Sequence, residues 1–447
     1  GAKQDGRLAA LIHTGVAGMT DHNYCPEQFT FPARHLYAAD SFLIAQEIAP
    51  LDMVANTFMR APGESIGTFA LESAIDELAC AMDVDPVELR RRLEPEKDPT
   101  SGLPFSSRNL VEAYRLGAER FGWERRHPKP RTQRDGEWLI GQGVATGTYP
   151  YYRMPGGAAS ITLTADGRAI VRMAAHEMGM GTATVQAQHA AERLGLPVEH
   201  VTFEYGDTKL PSGTMAGGSS QSASIIAAVA AASEELVKQV LKLAGNDSPL
   251  AGLRPSQVEA RDGGLCRRDD PAQCETYVSI LRRAGKSEFS CEVSAPAPLE
   301  MMKYSMHSYC AQFCEVRVSE ITGETRVTRW LGSFDTGRIL NPRTAASQFR
   351  GGIIMGIGLA LTEETLFDER TGRIMNPSLA EYHLPVHLDV PPIDIIWNDI
   401  PDPHSPLGVR GIGEIGITGA GAAIANAVYN ATGTRVRSLP MTIDKLL

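Results

Sequence analysis

The stretch "GVRGIGEIGITGAG", residues 408–421, contains six glycines and one carboxylate, that of Glu414. Glycine has no Cβ, so a main chain rich in glycine can come very close to a bound group. The residues that follow, "AAIANAVYNATG" (422–433), have the small apolar pattern of a buried helix. The stretch therefore predicts a loop that opens a helix and presents a single acid to a ligand.

Four other loops of small residues precede helical patterns in the same way. Each would offer main-chain N–H groups at the positive end of a helix, where anions bind. Together with the first stretch they predict a large ligand with several anionic groups, held mainly by the main chain. The segments are "APGESIGTFALESAIDEL" (61–78), "EMGMGTATVQAQHAAERLG" (177–195), "AGGSSQSASIIAAVAAA" (216–232) and "RGGIIMGIGLALTEE" (350–364).

The letters GxGxxG occur in "GIGEIG" (411–416) and raise the alternative of a dinucleotide-binding fold. That fold needs a βαβ unit with an acidic residue about twenty positions after the motif. No such unit can be laid out so near the end of the sequence, and a glutamate inside the motif would repel a pyrophosphate. We therefore expect no Rossmann site.

The composition argues against nucleic-acid binding and against a membrane-spanning segment. The chain has 447 residues, with 43 Lys and Arg against 53 Asp and Glu, and a net charge of −10, which argues against a nucleic-acid partner. The longest apolar runs, 223–232 and 351–361, are too short to span a bilayer.

Among seven cysteines, Cys310 and Cys314 are expected in the core of a sheet. Cys266 and Cys274 lie in a polar loop and can pair in an oxidising compartment.

The mixed order of helical and strand-like segments predicts an α+β fold. A polar, proline-rich linker at 127–138 is expected between a smaller part, 1–126, and a larger part, 139–447. We expect helices at about 66–80, 86–93, 182–195 and 222–244, and hairpins that turn at Asp166–Gly167 and at Gly323. Residues 246–300 are expected to be irregular. Residues 1–15 are expected to form half of a hairpin whose partner strand lies outside the sequence.

As a set, these loops resemble the molybdenum-binding subunit of the xanthine dehydrogenase and aldehyde oxidase family. The similarity is greatest to bacterial periplasmic aldehyde oxidoreductases that use molybdopterin cytosine dinucleotide. Besides the opening stretch, the motifs that carry it are "FMRAPGE" (58–64), "HEMGMGTATVQAQHAAERLGLP" (176–197), "YGDT" (205–208), "AGGSSQSAS" (216–224) and "DTGRILNPRTAASQFRGGIIMGIGLALTEE" (335–364).

The resemblance implies that the chain is the C-terminal portion of a longer subunit. Residues 1–126 would be the remainder of a first molybdopterin-binding domain, and 139–447 a second one. The expected partners are the N-terminal part of the same subunit, an iron–sulfur subunit with a 2Fe–2S cluster, and an FAD subunit. Without them we expect no activity. Close relatives of this type are exported on a partner's signal, so the expected compartment is the periplasm, with the cytoplasm as the alternative.

The resemblance also implies a reaction, the oxidation of an aldehyde to a carboxylic acid with oxygen from water. Glu414 would be the general base for the molybdenum-bound hydroxyl, hydride would pass to the sulfido ligand, and electrons would leave through the iron–sulfur and FAD partners. No protein side chain would bind the metal, which the pterin dithiolene holds. Two alternatives stay open: hydroxylation of a nitrogen heteroaromatic of the xanthine or isoquinoline type, and a non-catalytic scaffold.

Site residues follow by motif match. An aromatic pocket for the substrate would contain Tyr149, Tyr151, Tyr152 and Arg153. The stretch "HNYCPEQFTF" (22–31) lacks the arginine that holds purines in xanthine enzymes, which favours aldehydes. The expected cofactor contacts are Arg60, Gly179, Met180, Gly181, Ser220, Gln221, Ser222, Gly337, Arg338, Ile339, Leu340, Asn341, Pro342, Arg343, Gln348, Gly411, Ile412 and Gly413.

Overall fold

The computed structural model describes all residues from Gly1 to Leu447 and has the expected mixture of helices and strands. None of its helices combines the length and the apolar character needed to cross a bilayer. The α-helices are Glu64–Ala81 (α1), Pro86–Arg92 (α2), Leu110–Phe121 (α3), Thr182–Leu194 (α4), Gln221–Ala244 (α5), Tyr277–Arg283 (α6), Pro342–Leu361 (α7) and Ala420–Thr432 (α8).

The strands form five separate sheets. They are Leu11–Thr20 (β1), Phe42–Leu51 (β2), Gln133–Asp135 (β3), Trp138–Pro150 (β4), Ala158–Thr164 (β5), Ala169–Arg172 (β6), Val201–Glu204 (β7), Val258–Arg261 (β8), Gly264–Arg267 (β9), Cys274–Thr276 (β10), Glu288–Ser294 (β11), His307–Ser319 (β12), Thr325–Asp335 (β13), Phe367–Asp368 (β14), Arg373–Ile374 (β15) and Ile393–Trp397 (β16).

The largest sheet has the order β16-β13-β12-β4-β3, and helix α8 packs against β4 and β12. Glycines of β4 allow this contact to be very close. A Cβ at Gly141 would lie 2.1 Å from the Ala427 carbonyl oxygen, and one at Gly143 would lie 2.3 Å from that of Ala423. Because residues two apart in a strand face the same side, these glycines form a flat track for the Ala-rich helix. This packing places the residues just before α8, which include Glu414, above the sheet.

A second layer is built on the mixed sheet β11-β5-β6-β7, against which α5 packs. The predicted hairpin at Asp166–Gly167 is confirmed, since β5 and β6 pair antiparallel and Gly167 has φ of 84°. The hairpin at Gly323 between β12 and β13 is confirmed as well. The four predicted helices are present as α1, α2, α4 and α5, and Asp85 caps α2 through the N–H groups of Val87 and Glu88.

Two expectations about the chain's course were wrong. Residues 2 and 8 form an antiparallel bridge, and β1 pairs in parallel with β2 over its whole length, so β1 has its partner within this sequence. Residues 246–300 are not irregular, because they contain the sheet β10-β9-β8, helix α6 and strand β11. These elements are too short for a periodic pattern to be visible in the sequence.

The cysteines take two different places. Cys266 and Cys274 face each other across β9 and β10 and form a disulfide, while Cys310 and Cys314 are fully buried in β12. Within the predicted linker, Gln133–Asp135 forms β3 and pairs with β4. The boundaries 1–126 and 139–447 stay a prediction.

Candidate cofactor and active site

The helix-opening loops meet around one cavity of about 440 Å³. Its size is that of a site for a cofactor or a small molecule. The lining residues come from five segments distant in sequence, so the fold alone brings them together. They are Arg60, Met178, Met180, Val185, 216–217, 219–223, Ile226, 338–341, Thr344, Ala345, Gln348 and 409–414.

Most residues predicted to hold the cofactor line this cavity. Ser220, Gln221 and Ser222 form the start of α5, and Arg338 to Asn341 form the loop before α7. The loops before α7 and α8 are joined, since the Arg338 N–H donates to the Gly408 carbonyl at 2.8 Å. Other predicted residues lie outside the lining: Gly179, Gly181 and Gly337 are in the same loops, and Pro342 and Arg343 are the first residues of α7.

The N-terminus of α5 is the clearest anion-binding feature. Ser220 is its N-cap and makes no side-chain capping hydrogen bond. The first N–H groups of a helix have no partner within the helix, and here they face the cavity at Gln221 to Ala223. At the positive end of a helix of 24 residues, these donors favour a phosphate.

The loop before α4 differs from the expectation of free donors. The Glu177 carboxylate accepts the N–H groups of Gly179 at 2.7 Å, Gly181 at 3.0 Å and Thr182 at 2.6 Å. These hydrogen bonds hold the pKa of Glu177 below its usual range against the opposing effect of burial. The expectation of free N–H groups was therefore wrong for this loop, because a carboxylate of the chain caps it.

Two glutamine side chains join the loops to one another. Gln221 accepts the His176 N–H at 3.0 Å and donates to the His176 carbonyl at 2.8 Å, which ties the start of α5 to the loop before α4. Gln348 on α7 donates to the Gly179 carbonyl at 3.2 Å. Because side-chain amides satisfy these main-chain groups, the cavity wall is preorganised.

Glu414 lies in the cavity wall, and both its oxygens have donors from other segments. Its Oε1 accepts the Ala61 N–H at 3.2 Å, and its Oε2 accepts the Ser219 hydroxyl at 3.1 Å. Burial raises the pKa of Glu414, and hydrogen bonds from Ala61, Tyr149 and Ser219 together with the charge of Arg60 oppose the rise. The result is a fixed carboxylate with a raised proton affinity, which suits a general base.

Arg60 holds the loop of Glu414 in place. Its Nε donates to the Gly413 carbonyl at 2.7 Å, and its Nη2 donates to the Gln348 carbonyl at 2.9 Å. The closest acceptors of its guanidinium are main-chain carbonyls, and no carboxylate forms a salt bridge with it. Arg60 also lines the cavity, so its positive charge borders the space that a ligand would occupy.

The predicted aromatic pocket divides into two groups. Tyr149 and Tyr152 are in edge-to-face contact, with ring centroids 6.4 Å apart, and Tyr149 is near enough to Glu414 to lower the pKa of that carboxyl. Tyr151 and Arg153 point elsewhere, towards Glu300. None of the four belongs to the lining of the cavity described above.

Arg153 is engaged by the protein itself. Its guanidinium contacts both carboxylate oxygens of Glu300, at 2.6 and 2.7 Å, and the carbonyls of Pro296 and Ala297 at 2.6 and 2.9 Å. The residue is 4% exposed. This geometry does not support a substrate-binding role, because four of the five guanidinium N–H groups donate to the protein itself; it is the arrangement of a structural ion pair.

We therefore expect Arg153→Ala to lower the free energy of unfolding by about 1–3 kcal/mol, the range for a lost charged hydrogen-bond partner. Its effect on kcat/KM should be uniform across aliphatic and aromatic aldehydes. The matched control is Arg168→Ala, which removes an exposed arginine. A change in preference between the two aldehyde classes in Arg153→Ala would restore the substrate-binding role.

Two functional residues had not been identified from the sequence. Ser219 holds Glu414 but precedes the predicted Ser220–Ser222 turn by one residue, and its φ of 54° cannot be read from the sequence. Arg410 lines the cavity and forms a buried ion pair with Asp335. An arginine within an apolar, glycine-rich stretch was a usable signal, since a buried charge needs a partner.

The donors around the cavity suit a large anionic cofactor. The uncapped start of α5, the hydroxyls of Ser219 and Ser222, and the cations Arg60 and Arg338 are all on its wall. No cluster of three or more His, Cys, Asp or Glu side chains is placed to bind a metal directly.

Comparison with known proteins agrees with this chemistry. Residues 1–93 and 116–391 each match a molybdopterin cofactor-binding domain family. Over the full chain, the sequence is 38% identical to the aldehyde oxidoreductase molybdenum-binding subunit PaoC of Escherichia coli K12 and 29% identical to its putative xanthine dehydrogenase molybdenum-binding subunit XdhA. The chain spans 59% and 61% of the lengths of these relatives.

Solved structures share the fold. The Cu,Mo-CO dehydrogenase superposes over the whole chain with a TM-score of 0.86 at 19% identity, and the match covers 60% of that protein. The aldehyde oxidoreductase of Desulfovibrio desulfuricans ATCC 27774 gives a TM-score of 0.78 at 23% identity over the whole chain and 48% of that protein. The expected resemblance is confirmed: the chain belongs to the molybdenum-binding subunits of the xanthine dehydrogenase and aldehyde oxidoreductase family.

Proposed function

We propose that this chain belongs to an enzyme that oxidises aldehydes to carboxylic acids, with Glu414 as its general base. The observation that carries the proposal is the position of Glu414, a half-buried carboxylate in the cavity wall with a raised pKa. Its two oxygens are held by Ala61 and Ser219, so it can take up the proton of an attacking hydroxyl group without reorganising. Retention of this acid argues against a non-catalytic scaffold.

Molybdopterin cytosine dinucleotide is the cofactor form that we propose. When bound, it would supply the oxidising power that no side chain has. The residues that would hold it are the Ser220–Ser222 turn, Arg338 to Asn341, Gln348 and Gly411 to Gly413, all of which line the cavity. Arg60 would face its anionic groups, and the glycines before Glu414 would let the main chain press against it.

The aldehyde is favoured over a purine as the substrate by two facts. A relative at 38% identity is named an aldehyde oxidoreductase subunit, and residues 22–31 contain no arginine that could hold a purine. Tyr149, next to Glu414, would form the wall of the substrate site. Hydroxylation of a nitrogen heteroaromatic is the alternative, and an assay of the purified complex with both classes of substrate separates the two.

The partners that we propose are a 2Fe–2S subunit, an FAD subunit and the N-terminal part of the same subunit. The exposed face of β1 and β2 supports the last of these, because Ile12, Val16 and Leu43 are 66%, 63% and 55% exposed there. Such a face is normally covered by protein.

For the compartment we propose the periplasm, and the Cys266–Cys274 disulfide supports it, since disulfides persist in oxidising compartments.

The test is an assay of the purified complex. We expect stoichiometric molybdenum, released cytosine nucleotide on denaturation, and reduction of an artificial dye with aldehydes but not with hypoxanthine. Dye reduction with hypoxanthine or a quinoline, and none with aldehydes, would favour the alternative. A complex that contains molybdenum but oxidises none of these substrates would contradict the proposal.

A further inference from the structure

A second glutamate, Glu64, follows the turn that holds the proposed base. Glu64 is the first residue of α1, and the turn before it contains Ala61, whose N–H holds Glu414. Glu64 is only 1% exposed, and its Oε1 is buried without any hydrogen-bond partner. Unpaired polar atoms in the interior are costly, so this side chain needs an explanation that packing does not provide.

Its surroundings are rich in carboxylates and poor in cations. Glu27 binds the N–H of Gly63, the residue before Glu64, so the acids Glu27, Glu64 and Glu414 converge on one turn. No salt bridge involves Glu64. Arg60, four positions before Glu64 in the sequence, donates to the carbonyls of Gly413 and Gln348 instead.

Like charges this close in a dry site cannot all be present at once. Desolvation, followed by the charges of Glu414 and Glu27, raises the pKa of Glu64 to about 8. Glu414 has hydrogen-bond donors from other residues and the charge of Arg60 to stabilise its ionised form, whereas Glu64 has only a hydrogen bond from its own main chain, which opposes the rise in its pKa, and its Oε1 has no partner. At neutral pH, the proton therefore belongs on Glu64 and the negative charge on Glu414.

We propose that Glu64 is a positioning residue for Glu414: as a buried neutral acid, it keeps a second negative charge away from the base. The inference rests on the proposed role of Glu414. The groups that face Glu64 are Glu414, Glu27, Tyr149 and Tyr152, none of which is a cation. Ionisation of Glu64 would therefore place an uncompensated charge beside the site, where it opposes the negative charge that develops on the substrate oxygen.

The direct test is infrared spectroscopy of the purified complex as a function of pH. We expect the C=O band of a protonated carboxylic acid at neutral pH, its loss on titration through about pH 8, and its absence in Glu64→Gln. The matched control is Glu27→Gln, which removes a neighbouring acid; it should retain the band of Glu64 but shift its titration to lower pH, because the charge of Glu27 contributes to the raised pKa. A wild-type spectrum without such a band at neutral pH would overturn the inference, whatever the activity.

The second readout is the pH profile of kcat/KM. In the wild type we expect a fall above about pH 8, and Glu64→Gln should lack this fall because an amide cannot ionise. An unchanged alkaline fall in Glu64→Gln would overturn the inference. These results are separable from a failure of the proposed base, since full activity of Glu414→Gln would refute the base while leaving the infrared band of Glu64 in place.

Discussion

Replacing Glu414 by glutamine is expected to lower kcat by about 10²-fold or more, the scale of a lost general base. Glutamine keeps the size of the side chain, and it can accept the Ala61 N–H at its oxygen and donate its amide N–H to the Ser219 hydroxyl, but it cannot take up a proton. The loop should therefore keep its position. The measurement is steady-state oxidation of an aldehyde, together with metal analysis, which should show unchanged molybdenum content.

The raised pKa of Glu414 also predicts how the activity changes as the pH falls. Because the pKa of Glu414 is raised by burial, the ionised form is lost as the pH falls through a value above that of an ordinary glutamate. Activity should fall with it, and Glu414→Gln should not show this fall. The control is Glu363→Gln, which alters another acid with a raised pKa outside the cavity. Wild-type turnover in a metal-replete Glu414→Gln enzyme would refute the assignment.

Replacing Arg410 by glutamine is expected to have the largest effect on stability. The side chains of Arg410 and Asp335 are completely buried and paired, and Arg410 also donates to the carbonyls of Ser107 and His307. Removing one partner of such a pair leaves an uncompensated buried charge and costs about 3–5 kcal/mol. Chemical denaturation monitored by circular dichroism measures this loss.

The consequence for the site follows from the position of Arg410. It directly precedes the loop of Gly411 to Glu414, so loss of its ion pair should also weaken retention of molybdenum. The matched control is Arg437→Gln, which breaks an exposed ion pair with Glu77 and should cost less than about 1 kcal/mol. The double change Asp335→Asn with Arg410→Gln should recover part of the loss. A cost for Arg410→Gln no larger than that of the control would contradict the prediction.

The sequence predicted the local features of the structure well. The helices α1, α2, α4 and α5 and the two hairpins depend on periodicity, caps and turn glycines, all of which act within a few residues. The same holds for the burial of Cys310 and Cys314 in a strand. Short elements such as β8 to β10 and α6 were missed, since three to seven residues are too few to show a period.

By itself, the sequence determined the family, the loops that open helices, and the acid that one of these loops presents. Glycines, other small residues and a lone carboxylate can be recognised within a few positions of the sequence, because their effect on the main chain is local. Only the tertiary structure decided which groups are free to act. Glu177 and Thr182 are close in sequence, but the hydrogen bond that caps α4 depends on how the loop folds. Arg153 was expected in the pocket and is bound by Glu300, 147 positions away. The raised pKa of Glu64 arises first from its burial and then from carboxylates that include Glu414, 350 positions away, since burial and like charges depend on distance in space, not along the chain.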